Sequence, residues 1–228
     1  MPLPLPTGQP DSRLRWFATA PGVVLLDSEQ DSIDGALGAR PGQPWLWLAP
    51  PSGAGNDVHD GAGNDERGLR LQASGSGWHG PIRCTLPLPL ANESVATVVV
   101  QHVIRRDRAG SALLDECARV LLPGGRLWLF ALNPLSPYRW RWNGQGLKAS
   151  EPLPWRRRLR ALGLQPDAVS QGIGPRWRIA ADPRLQHGAG LRAAWLLRAE
   201  KRTLPLTPLR LRAPLRTSLP VGSGMPAA

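Results

Sequence analysis

The sequence predicts an α/β protein built on a mostly parallel sheet. Three observations carry this prediction. Trp45-Leu46-Trp47-Leu48-Ala49 is a continuous apolar run with proline on both sides. Residues 94–100 are β-branched and almost uniformly apolar. Residues 111–122 are amphipathic and lead through Pro123-Gly124-Gly125 into another apolar run at 126–132. Consecutive apolar residues mark a strand buried on both faces, as in a parallel sheet covered by helices. Strand, helix, glycine-rich stop and strand form a βαβ unit, which implies a parallel pair and a right-handed crossover.

The elements follow in chain order. Residues 1–10 and 203–228 are proline-rich and aperiodic, and read as extended or disordered. A domain at 21–202 is therefore expected between an N-terminal extension, 1–20, and a basic tail, 203–228. A short helix is expected at 30–39, started by Asp27 or Ser28 and stopped by Arg40-Pro41-Gly42. The stretch 50–68 contains Gly53-Ala54-Gly55-Asn56-Asp57 and its echo Gly61-Ala62-Gly63-Asn64-Asp65. Two copies are too few to stack as a calcium-binding array, so a flexible loop is expected. Residues 68–73 and 81–85 read as strands with seven residues between them. A parallel crossover needs about a dozen residues, so this pair should be a hairpin.

The helix at 111–122 places apolar residues at 113, 114, 117, 118, 120, 121 and 122, with Ser111 as its cap. A basic helix at 154–162 ends at Gly163, and 165–170 reads as a strand. Residues 191–199 fit a strand or a helix. Their place before Lys201-Arg202 favours a strand at or near the sheet edge.

Length and composition bound the rest. The 228 residues suffice for one α/β domain with a real core. Charge is unevenly placed: residues 1–137 carry 11 basic and 13 acidic side chains, whereas 138–228 carry 17 and 4. The C-terminal balance of +13 suggests an anionic partner, nucleic acid or another polyanion, contacted through residues 139–216. Trp140, Trp142, Trp155 and Trp177 lie among those arginines and could stack on bases; buried tryptophans beside solvated arginines are the simpler reading. Cys84 and Cys117 fit neither a disulfide framework nor a metal set, and His59, His79 and His187 lie in glycine-rich loops. The prolines of the first residues oppose a signal peptide, and no run approaches a spanning helix, so a cytoplasmic protein is expected.

A family resemblance enters through about fifty consecutive residues. Leu88-Pro89-Leu90-Ala91-Asn92-Glu93-Ser94-Val95, then Val98-Val99-Val100-Gln101-His102-Val103, then Leu113-Leu114-Asp115-Glu116-Cys117-Ala118-Arg119-Val120-Leu121-Leu122-Pro123-Gly124-Gly125 resemble the type 11 class I S-adenosylmethionine (SAM) methyltransferases. Asn133-Pro134-Leu135-Ser136 also occurs in that family. A narrower similarity, to the small bacterial YafS-type methyltransferase-like proteins, rests on that turn and on residues 198–207. The resemblance implies a Rossmann-like sheet, here with a shortened N-terminal half, and methyl transfer from SAM to an acceptor that the sequence does not identify.

It also implies a cofactor crevice at the carboxyl ends of the strands. The glycine-rich loop falls on Ala49-Pro50-Pro51-Ser52-Gly53-Ala54-Gly55, where Trp47 stands at the acid and Ala49 and Pro51 at two glycines. Gly53 keeps its place. Proline at 51 removes a donor and fixes φ. Ser74 replaces the carboxylate that grips the ribose, and Cys84 replaces the acid near the adenine, with Thr85 and Leu86 alongside. The motif is therefore degenerate. Gln101 and His102 end the central strand where donor and acceptor would meet. His102 can serve as a general base or pack structurally. Asn133, Ser136 and Tyr138 are candidates for the acceptor side or for a stabilised turn.

Overall fold

The computed structural model describes residues 13–51, 67–75, 77–176 and 191–202. Burial of alternate side chains on each strand builds two apolar layers, one on either face of a mixed sheet. The strands are β1 (Trp45–Ala49), β2 (Gly68–Ser74), β3 (Gly77–His79), β4 (Val95–Gln101), β5 (Leu121–Leu132), β6 (Leu164–Pro166), β7 (Gln171–Arg176) and β8 (Arg192–Lys201). Their order is β3-β2-β1-β4-β5-β8-β6, with β7 also paired to β8. The pairs β1/β2, β1/β4 and β4/β5 are parallel, whereas β3, β6, β7 and β8 run antiparallel to their neighbours. This is the Rossmann-like class I methyltransferase sheet.

One face packs Leu46, Leu48, Val98, Val100 and Leu129 against α2 (Arg108–Val120) and α3 (Pro152–Ala161). The other packs Trp47, Ala49, Val99 and Phe130 against α1 (Ala20–Gly38) and a 3₁₀ turn at Leu14–Ala18. Both faces of β4 are thus covered. This accounts for its seven consecutive buried residues.

Several boundaries differ from the sequence reading. The expected helix at 30–39 is the second half of α1, which begins at Ala20 with proline in its first turn, where no N–H is missed. Ser28 lies inside that helix and bonds the Leu25 carbonyl rather than capping an end. Asp107, not Ser111, caps α2 through the Gly110 N–H at 2.9 Å. Residues 14–18, assigned to an extension, belong to the packed domain, because Trp16 and Phe17 are buried. The expected hairpin is present, but its second strand is 77–79 rather than 81–85. Ser74 pairs with Gly77, leaving a two-residue turn at whose first position Gly75 adopts φ +59. Cys84 then makes a single bridge with Trp78. Of the strand expected at 165–170, residues 165 and 166 belong to β6 and 167–170 are not strand; β7 follows from Gln171, and β6 and β7 pair with the two ends of β8. β8 lies one strand in from that edge.

The tail 203–228, the residues 1–12, the loop 52–66 with its repeated Gly-Asn-Asp sequence, and residues 177–190 lie outside the described residues. Among the described residues no helix is long and apolar enough to cross a membrane.

Candidate functional site

The carboxyl end of β4 carries a buried polar chain. Trp47 Nε1 donates to Gln101 Oε1 at 3.2 Å, and Gln101 Nε2 donates to Glu29 Oε2 at 2.9 Å. An indole nitrogen can only donate, which fixes the amide orientation of Gln101. His102 Nε2 lies 2.9 and 3.0 Å from the two Glu29 oxygens. Glu29 is fully buried on α1. A carboxylate so placed is expensive unless it is hydrogen-bonded, and here two side chains meet it.

His102 holds a left-handed backbone, φ 54, while its N–H donates to Phe130 O at 3.0 Å. A non-glycine residue there is uncommon, and such strain clusters at functional sites. Phe17 stacks on the imidazole at 4.9 Å between ring centroids. With Nε2 proton-bearing toward an ionised Glu29, the lone pair of the neutral ring is on Nδ1. That atom is buried and has no hydrogen-bond partner among the described residues.

His102 lines a cavity of about 460 Å³ beyond the carboxyl ends of β4 and β5. This lies within the roughly 300–1,000 Å³ typical of small-molecule sites. Leu14, Ile104, Ala131, Leu132 and Leu147 give it apolar walls, and Ser150 lies at its margin. Trp155 Nε1 donates to Ser150 Oγ at 2.7 Å, and Trp195 Nε1 to Ser150 O at 2.6 Å. Trp16 Nε1 donates to Arg141 O at 2.9 Å, tying the N-terminal turn to a second 3₁₀ turn at Pro137–Arg141.

Of the site residues that the sequence singles out, His102 reaches this cavity. Gln101 does not line it; its amide is spent inside the polar chain. Ala49 is buried at the end of β1, Pro51 is half-buried just beyond, and Ser74 is half-buried at the end of β2. Cys84 and Leu86 are half-buried and Thr85 is exposed. Burial raises the Cys84 thiol pKa above its ordinary value. Gly53 and Gly55 lie outside the described residues. Ser74, Cys84 and Thr85 can make single hydrogen bonds to a ribose and a base, but they supply no charge-assisted pair. None of these described residues lines the cavity beside His102.

Asn133 and Ser136 do not line the cavity. Asn133 Nδ2 donates to Arg192 O at 3.0 Å, and Ser136 Oγ to Leu191 O at 3.0 Å, so the pair staples the turn after β5 to the start of β8. Tyr138 is buried against Trp142 in the layer beneath. Trp142 and Trp155 are buried too, so neither can stack on nucleic acid; Trp140 is 67% exposed, and Trp177 lies outside the described residues. Sequence reasoning missed Glu29. Its signal was a carboxylate at helical spacing within the apolar stripe Leu25, Leu26, Ile33, Ala36 and Leu37.

Neither a comparison with protein-family models nor one with curated proteins gives a match. Solved structures do match. A chain from the complex between the Haloferax volcanii Trm112 methyltransferase activator and a methyltransferase aligns at TM-score 0.53 and 14% identity, over 86% of this chain and 99% of that one. Geranyl diphosphate C-methyltransferase from Streptomyces coelicolor A3(2), solved with Mg2+, geranyl diphosphate and S-adenosyl-L-homocysteine, aligns at TM-score 0.50 and 16% identity over 77% of each chain. A geranyl diphosphate methyltransferase with sinefungin gives TM-score 0.50 and 16% identity, over 77% and 78%. At such identities the likeness establishes the fold, a class I SAM-dependent methyltransferase fold, and nothing finer.

Proposed function

We propose that the protein transfers a methyl group from SAM to a small acceptor held in the cavity beside His102. The observation that supports this most is the Glu29–His102 pair at the end of β4, where His102 lines a metabolite-sized cavity. When bound, SAM supplies an electrophilic methyl group. The residues proposed to hold it are Ala49, Pro51, Gly53 and Gly55 after β1, Ser74 after β2, and Cys84, Thr85 and Leu86 beyond β3. Gln101 acts from below by fixing the Glu29 carboxylate.

His102 is the proposed general base: its ring, buried in this structure, turns toward the cavity to take the proton that the acceptor loses, and Glu29 stabilises the resulting imidazolium. Alignment supplies the rest, since a nucleophile held in line reacts without further assistance. Kinship with the YafS-type proteins, through Asn133–Ser136 and residues 198–207, belongs to this reading, as does an intracellular setting where SAM is available. The runner-up reading, a scaffold that binds a polyanion through its basic C-terminal part, loses two of its four stacking residues to burial.

Calorimetric titration with SAM tests the proposal. Binding is expected with Kd between about 0.1 and 1 mM, because no carboxylate grips the ribose. Absence of heat at several millimolar SAM, from protein shown to be folded, would overturn it.

A further inference from the structure

The charges around the cavity have an uneven sign. Arg13, Arg105, Arg106 and Lys148 line it, against a single carboxylate, Asp107. That carboxylate is already committed. One oxygen accepts from Arg105 Nε at 2.7 Å, and the other accepts from the Gly110 N–H at 2.9 Å. Arg13 and Arg105 have protein partners of their own. Arg106 and Lys148 are exposed residues of the lining, carried on two segments far apart in the chain.

Both segments are held in place. Arg106 immediately precedes the capped start of α2, whose unpaired N–H groups add partial positive charge on the same side. Lys148 lies between Gly146 and Ser150. Gly146 has φ +76, and a Cβ there would press on the Arg13 side chain at 3.0 Å. Ser150 is pinned by Trp155 and Trp195. The floor is apolar, and His102 lines it with its imidazole ring buried. Low-dielectric walls focus the field of the lining cations into the cavity.

We propose that this cavity takes an anionic acceptor, a small molecule bearing a phosphate or carboxylate group. Arg106 and Lys148 hold the anion, and the rest of the acceptor lies over the apolar floor beside His102. The assignment of that molecule as an acceptor rests on the methyl-transfer reading; the anion site itself does not.

The test uses the full chain without SAM, so its outcome is separate from that of the SAM titration. Inorganic pyrophosphate and malonate are titrated separately by calorimetry, with glycerol as the neutral control. The 15N signals of His102 are followed during the same titrations. At least one anion should bind, move the His102 signals, and bind at least about tenfold more weakly to the folded Arg106→Ala/Lys148→Ala variant. Pyrophosphate bound alone assigns a phosphate acceptor, malonate alone a carboxylate one, and both together the shared anion site. The proposal fails if neither anion binds. It fails equally if binding is unchanged in the double variant or leaves His102 unmoved, since the anion then sits elsewhere on the basic surface.

Discussion

Glu29 and His102 carry the chemistry in the proposed mechanism, and each can be probed by stability as well as function. Removing Glu29 leaves the His102 and Gln101 donors buried without their acceptor. Glu29→Ala should therefore cost about 3–5 kcal/mol, and Glu29→Gln, which keeps one acceptor, about 1–3 kcal/mol, both read from urea midpoints. His102→Asn is the cleaner probe of the imidazole, because asparagine tolerates the left-handed backbone that His102 adopts. Equal stability of Glu29→Ala and the parent would mean that the pair is not formed in solution.

The two cysteines make a second residue-scale test. Burial pushes the Cys117 thiol up to about 12, whereas Cys84 is half-buried. Because the folded pKa of Cys117 lies above the ordinary thiol value of about 8.5, its contribution to stability is complete below that pH and declines as pH rises above it. Iodoacetamide at pH 8 should label Cys84 in the native protein and Cys117 on unfolding. Native labelling of Cys117 at a comparable rate would contradict its burial. None of this was legible beforehand: a lone Glu and a lone Cys acquire meaning when packing sets their neighbours.

At the scale of elements, the residues of the family motif explain themselves as a clasp. Glu116 Oε2 accepts from the Leu88 N–H at 2.9 Å, while Arg119 reaches Leu90 O at 2.9 Å and Asn92 Oδ1 at 2.7 Å. The segment before β4 is thereby fastened to α2 without a helix of its own. The Arg119 hydrogen bond holds the Glu116 carboxyl below the usual carboxylate range, outweighing its partial burial. A depressed folded pKa contributes stability above the unfolded value, near pH 4.3, and loses it as pH falls through the folded pKa. Glu116→Gln should lower stability by about 1–2 kcal/mol at pH 7, after allowance for solvent screening, and by less at pH 3. A loss of the same size at both pH values would show that the carboxylate charge is immaterial.

The central β4–α2–β5 unit was legible because its apolar spacing and its Pro-Gly-Gly stop are local signals. The hairpin was legible from the short gap alone. The position of its second strand was not, because Gly75 closes the turn sooner than the apolar residues at 81–85 suggest. The first half of α1, which carries Pro21 and Gly22, was not expected. Pro21 sits harmlessly in the first turn, and Gly22 lies so close to the Trp16 carbonyl that a Cβ would meet it at 2.3 Å.

Across the whole molecule, the sheet order survives where the cofactor motif has thinned. The strand order and the two buried layers are those of a class I methyltransferase fold, while Trp47, Ser74 and Cys84 stand where the resemblance places acids. The structure supplies a carboxylate from another direction. Glu29 on α1 reaches the end of β4, linked through Gln101 to the indole of Trp47. A contact between such distant segments cannot be read from a motif, because it depends on where α1 packs. We propose that SAM lies at the carboxyl ends of β1 and β2, near the cavity of His102. Comparing SAM affinity in the parent and in Ser74→Asp tests it most directly. Restoring a carboxylate at the ribose position should tighten binding about tenfold, or about 1.4 kcal/mol. An unchanged or weakened Kd in the folded variant would contradict the placement.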